Sequence, residues 1–315
     1  MNTSKAMTEL HTPEAIARSI VAAHASRFGE FAGDIASFSS EDPIYRGAKQ
    51  ACSALGFIDI DAECLARAWQ AQTKRVGMFD AHAWPEHPAD FGMRSFPPGA
   101  REDAFPSCPE KLGLYSVLPD AQWVGRMARA GVPTVQLRFK SNDDEAIARE
   151  VNAAVQVVQG TGSLLFINDH WRAAIEARAY GLHLGQEDLD ALTPEALKTI
   201  RDSGIRLGVS THGYAEMVRA DAVTPSYIAM GAIYPTTLKQ MATAPQGVAR
   251  LAAYARLMRG YPQVGIGGVD AARMPEVLGT GVGSVAVVRA LVADSNPEAA
   301  AVRLLRIVAD PANAR

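Results

Sequence analysis

From Lys111 to the C-terminus the sequence alternates, eight times over, between a short apolar run and a stretch with helical spacing. The apolar runs are Leu114–Leu118, Thr134–Phe139, Leu164–Ile167, Gly181–Leu184, Arg206–Ser210, Tyr227–Ile233, Gln263–Gly267 and Ser284–Val288. Runs this short, bounded by Gly, Asn and Asp, read as buried strands. Helices are expected between them at about 121–130, 143–158, 170–180, 194–202, 214–222, 246–259, 270–278 and 297–308. The second is the clearest, with Ile147, Val151, Ala154, Val155 and Val158 along one face. Strand–helix alternation demands parallel strands, because each crossover returns the chain to the same edge. Eight such units predict an α/β fold, a (β/α)8 TIM barrel. An open doubly wound sheet is the other reading, but it usually ends sooner.

In a barrel of this kind ligands meet the C-terminal ends of the strands. The third strand closes with Asn168-Asp169, and the fourth with Gln186-Glu187-Asp188. That spacing puts the carboxylates of Asp169 and Asp188 side by side on the rim, where they repel unless a cation such as Mg²⁺ lies between them. Along the second strand, alternation turns Gln136, Arg138 and Lys140 to one face and Leu137 and Phe139 to the other. An inward file of amide and cations suits an anionic ligand; an internal salt bridge to Asp169 or Asp188 is the alternative.

The fifth strand contributes Ser210-Thr211-His212 and the sixth Tyr234-Pro-Thr236-Thr237-Leu238-Lys239. The seventh ends in Gly265-Ile-Gly267-Gly268, whose backbone can approach a phosphate closely. The rim is therefore expected to hold two anions, a diphosphate among cations and metal and a monophosphate on backbone N–H groups. Diphosphate neutralised in this way is a good leaving group. The residues thus point to substitution at a carbon bearing diphosphate, with a phosphorylated acceptor.

Residues 1–100 read as a mostly helical extension. One helix starts at Thr12-Pro13 and ends at Gly29; a second spans Asp42 to Leu55; a third is expected to take Asp61 as its cap. The stretch 79–99, rich in Pro and Gly, reads as an extended connector whose Phe79, Trp84 and Phe91 rest on the barrel. The catalytic domain is then expected over 111–315, and deletion of the extension should leave activity if the extension is peripheral. His82 and His87 lack metal-ligand spacing, and the three cysteines show no C-x-x-C pair. A net charge of −3 carries no nucleic-acid footprint. With neither a leader nor a membrane-length apolar run, a cytoplasmic location is expected.

The motifs Gln136-Leu-Arg-Phe-Lys140, Phe166-Ile-Asn-Asp169, Gly181-Leu-His-Leu-Gly-Gln-Glu-Asp188, Gly208-Val-Ser-Thr-His212, Tyr234-Pro-Thr…Lys239 and Gly265-Ile-Gly-Gly268 occur in one order. Together they resemble the thiamine phosphate synthase family. The resemblance implies that 4-amino-2-methyl-5-(diphosphooxymethyl)pyrimidine and a thiazole phosphate are condensed to thiamine phosphate and diphosphate. It further implies that Gln136, Leu137, Arg138, Phe139, Lys140, Asn168, Ser210 and Lys239 hold the pyrimidine diphosphate, with Arg138, Lys140, Ser210 and Lys239 bearing on the reaction. Asp169 and Asp188 would hold Mg²⁺; Thr236, Thr237, Leu238, Gly268, Val288 and Arg289 would line the thiazole phosphate pocket. Two departures fall on that second side: Leu238 stands where the family carries a second Thr, and Arg289 where it usually carries Ser. Two rival readings are a thiazole tautomerase-like isomerase using His212 as acid/base, and a phosphate-ligand sensor without turnover. Mg²⁺-dependent release of diphosphate would separate the three.

Overall fold

The computed structural model describes residues 12–32, 37–94, 98, 101–236 and 244–313. They divide into two compact units, one of residues 1–95 with 213–222 and the other of residues 96–212 with 223–315.

The second unit carries the strands. These are β1 (Leu114–Leu118), β2 (Thr134–Leu137), β3 (Leu164–Asn168), β4 (Gly181–Leu184), β5 (Arg206–Thr211), β6 (Tyr227–Met230), β7 (Gln263–Gly265) and β8 (Val285–Val287). Each pairs in parallel with the next and β8 closes on β1, giving the expected barrel. Its interior is packed rather than hollow: Tyr115, Val117, Phe166, Tyr227, Ala229, Val264 and Ala286 form one buried cluster. Large rings fit there because small residues face them. A Cβ built on Gly208 would lie 2.1 Å from the Tyr227 ring, so any side chain at that position displaces the phenol.

Asp120 and Asp143 cap the helices 121–129 and 144–158 by accepting main-chain N–H groups. The helix expected over 170–180 shrinks to Trp171–Glu176, ended by Arg178 in the left-handed conformation (φ 54°). Extra turns of helix at Gln186–Ala191 and Arg289–Val292 follow β4 and β8. Strands β2, β6 and β7 stop earlier than their apolar runs, because the chain beyond them turns to build the rim. Ile233 N–H donates to Ile266 O and Tyr234 N–H to Gly267 O, each at 3.0 Å, so the loops after β6 and β7 bond to each other.

The first unit comprises α1 (Pro13–Phe28), α2 (Pro43–Ala54), α3 (Asp59–Val76) and most of α4 (Tyr214–Val223). Two expectations are corrected here. Asp61 is not the cap of α3, which starts at Asp59; it lies inside that helix, 5% exposed, and accepts the Ala215 N–H of α4 at 2.9 Å. Nor are residues 79–94 of the expected connector extended throughout. Pro88–Phe91 forms a 3-10 turn, and Asp90 is gripped through both oxygens by Arg75. Trp84 Nε1–H donates to Tyr214 Oη at 2.9 Å, and Phe91 stacks on Tyr214 with ring centroids 5.3 Å apart. Trp84 and Phe91 are both buried in this core. They draw α4 into the N-terminal unit rather than leaving it with the barrel's helices. Among the described residues no helix is long and apolar enough to cross a membrane.

Candidate active site

Strands β3 and β4 end at the same rim, and Asp169 N–H donates to His183 O at 3.0 Å, tying the two ends together. Asp169 then takes a left-handed backbone, φ 63°. A non-glycine residue rarely adopts this conformation, and such strain concentrates at functional sites. Asp188, in the turn after β4, accepts Gly185 N–H at 3.1 Å through Oδ2 and stands within hydrogen-bonding reach of the Asp169 carboxyl. The Asp169 carboxyl is pushed up to about 6, first by loss of hydration and then by the Asp188 charge, with Arg138 and His170 opposing. Although Asp169 as a residue is exposed at the rim, its neighbours shield the carboxyl group enough for burial to lead. The two aspartates therefore converge, and Arg138 is close enough to act on Asp169.

The cationic file is less regular than its sequence suggests. Gln136 lies inside the barrel, 4% exposed, with its amide Nε2–H donating to Tyr115 Oη at 2.9 Å. Leu137 alternates to the other face and is 1% exposed. Beyond it β2 has ended: Arg138 is half-buried and Lys140 exposed, while Phe139 O meets His170 Nε2 at 2.9 Å. Asn168 is buried at the end of β3. Thr237, Leu238 and Lys239 lie outside the described residues.

On the far side of the rim, Gly268 has φ 68°, and a Cβ there would lie 2.8 Å from Pro235 O. Its need for glycine comes from the neighbouring loop as well as from its turn. Arg273 Nη1 donates to Gly268 O at 2.7 Å and its guanidinium lies over the Tyr234 ring, 4.7 Å from the centroid. Thr236 and Val288 are half-buried; Arg289, exposed, opens the short helix after β8.

Four residues at the centre of the site were not singled out by sequence reasoning. His183 Nδ1 lies 2.7 Å from Tyr227 Oη, and His183 Nε2 lies 2.8 Å from Ser210 Oγ. Tyr227 Oη is 2.8 Å from Tyr115 Oη, and Gln186 Nε2–H donates to Ser210 O at 2.7 Å. Ser210 is thus held through both its hydroxyl and its carbonyl. A polar residue at an inward strand position, two after Gly181, is the one signal that could have marked His183.

The thiamine monophosphate synthase family model matches residues 115–291. Thiamine-phosphate synthase of Neisseria meningitidis serogroup B is 52% identical over 195 residues, which are 62% of this chain and 94% of that protein. The Salmonella schwarzengrund enzyme of the same name is 48% identical over 203 residues, 64% of this chain and 95% of its own. Among solved structures, thiamine phosphate pyrophosphorylase from Pyrococcus furiosus superposes with a TM-score of 0.56 at 24% identity. The match covers 63% of this chain and 96% of that one, and supports the barrel fold. By the extent of these matches, this chain belongs to the thiamine monophosphate synthase family.

Proposed function

We propose that the chain is a thiamine phosphate synthase, joining 4-amino-2-methyl-5-(diphosphooxymethyl)pyrimidine to a thiazole phosphate with release of diphosphate. The observation that carries this reading is the convergence of Asp169 and Asp188 beside Arg138 on one rim. The relatives' names give the reaction its identity.

The donor set fits Mg²⁺. A carboxyl raised by burial and by the carboxylate beside it, as Asp169 is, sits in an arrangement that a hard dication relieves. Mg²⁺ is commonly held by one or two carboxylates, with water and substrate phosphate completing its shell. What the ion supplies when bound is neutralisation of charge on the diphosphate oxygens. Arg138, Lys140 and Lys239 add fixed positive charge to the same leaving group. Asn168 and Ser210 orient it from β3 and β5, and Gln136 acts from behind, through Tyr115. Thr236, Gly268, Val288 and Arg289 line the acceptor's side. Electron release from the aminopyrimidine lets the C–O bond break ahead of attack, so the thiazole nitrogen closes on an electron-poor methylene. The protein positions both partners and needs no side-chain nucleophile.

Purified protein given both substrates should release diphosphate only with Mg²⁺ present. An isomerase would consume the thiazole phosphate and release none. Binding of both substrates without diphosphate would overturn the reading.

A further inference from the structure

We infer that His183 is a positioning residue that presents the Ser210 hydroxyl as a hydrogen-bond donor toward the anionic substrate, its tautomer being set from inside the barrel by Gln136, Tyr115 and Tyr227. The inference rests on the proposed function for the identity of the anion, but not for its geometry.

Direction enters the chain at Gln136. An amide nitrogen only donates, and it gives its hydrogen to Tyr115 Oη. Tyr115 has one hydrogen of its own, and its hydroxyl neighbour at 2.8 Å is Tyr227 Oη. Burial keeps both phenols protonated, so Tyr227 in turn has a hydrogen to pass to His183 Nδ1 at 2.7 Å. An imidazole whose Nδ1 accepts carries its proton on Nε2 when neutral. Nε2–H therefore donates to Ser210 Oγ at 2.8 Å. What is left to Ser210 is its own hydrogen, turned outward. Run the other way, Tyr115 Oη would accept from both Gln136 and Tyr227, and its own buried hydrogen would find no acceptor in either of them.

The polarity matters because the ligand is an anion. A serine that accepts from histidine offers a hydrogen to a phosphate oxygen, and each link polarises the next. A serine that donates to histidine would offer only lone pairs. Gln186, on the Ser210 carbonyl, keeps the hydroxyl at that spot. The residues that set the direction are all buried, Gln136 at 4%, Tyr115 at 2%, Tyr227 at 0% and His183 at 7% exposed, so bulk water does not scramble them.

The test is two-bond ¹H–¹⁵N correlation of the histidine rings in labelled full-length protein, with His183 assigned by its loss in His183→Gln. Neutral His183 should show the Nε2–H tautomer, and Tyr227→Phe, which keeps the ring and removes the hydroxyl, should erode that preference. An Nδ1–H tautomer in the unmodified protein, or a tautomer indifferent to Tyr227→Phe, overturns the inference. In kinetics, His183→Leu should raise KM for the pyrimidine diphosphate about tenfold, with a smaller change in kcat. His183→Gln, whose amide can still donate to Oγ, should recover part of that loss; equal losses in both variants count against it. Should the protein release no diphosphate at all, the proposed function fails while the tautomer measurement still decides this inference.

Discussion

His24 in the N-terminal unit and His183 in the barrel are 6% and 7% exposed, and each is hydrogen-bonded. His24 Nε2 meets Ala81 O at 2.9 Å, its ring set edge-on to Trp84 at 4.9 Å with Phe28 and Trp69 close by. A main-chain carbonyl passes nothing further, so the bond satisfies a buried polar atom and stops there. His183 lies between two hydroxyls and leads to the rim. Burial alone does not distinguish a structural histidine from a working one. What distinguishes them is whether the partner has a hydrogen of its own to pass on.

The barrel side of that contrast should break most visibly at the Asp169–Asp188 pair. Asp169→Asn is expected to lower turnover on the order of a hundredfold while the fold survives. Without metal, the variant should melt higher than the parent near neutral pH, because a carboxylate short of hydration and set beside a like charge is gone. The sign follows from the raised carboxyl. Its proton is held more tightly folded, at about 6 against 3.8 unfolded, so the cost to stability is absent below 3.8 and complete above about 6. The gain in melting temperature should fade as pH falls across that window. Added Mg²⁺ should raise the parent's melting temperature more than the variant's. A variant that melts lower at neutral pH would remove the basis for a repelling pair.

On the N-terminal side the expected effects are on stability. Removing residues 1–95 strips Tyr214 of Trp84 and Phe91, and the Ala215 N–H of the Asp61 carboxylate that accepts it. The truncated protein should therefore aggregate or melt without cooperativity, seen by size-exclusion chromatography and thermal scans. This differs from the expectation for a peripheral extension, and a soluble, active truncation would favour the simpler view. Trp84→Ala is the milder version, costing about 3–5 kcal/mol in denaturant melts, with turnover per folded molecule unchanged.

The smallest effect belongs to His24. Burial, ahead of any charge, lowers its proton affinity from 6.5. The unfolded chain thus binds the proton more readily than the folded one, and stability present above 6.5 is lost as pH falls below it, by no more than about 1.4 kcal/mol per pH unit. His24→Leu should flatten that part of the curve in denaturant titrations at stepped pH. An unchanged slope would mean that His24 titrates alike in both states.

Much of the barrel was legible because strand and helix periods are local. β1 and β4 begin and end where their apolar runs do. The misses sit where the chain leaves a ladder for a tertiary partner: β6 stops at Met230 although its apolar run continues to Ile233, since that residue bonds to the loop after β7. Asp61 fails as a cap for a similar reason, since its acceptor role serves a helix 154 positions away. At the site, the aspartate pair followed from the topology, because parallel neighbours must end on one edge. The buried chain did not: His183 finds its partners 44 and 27 residues along the sequence, and no periodicity reports which hydroxyl a ring will face.

The sequence by itself determined the alternation of elements, the rim on which the acidic and basic side chains gather, and the family those motifs resemble. Each of these depends on residues a few positions apart. Only the tertiary structure decided which unit α4 joins, where Gln136 spends its amide, and how Ser210 is held. Those depend on closure of β8 onto β1 and on aromatic packing, which bring distant hydrogens and lone pairs within bonding distance of one another.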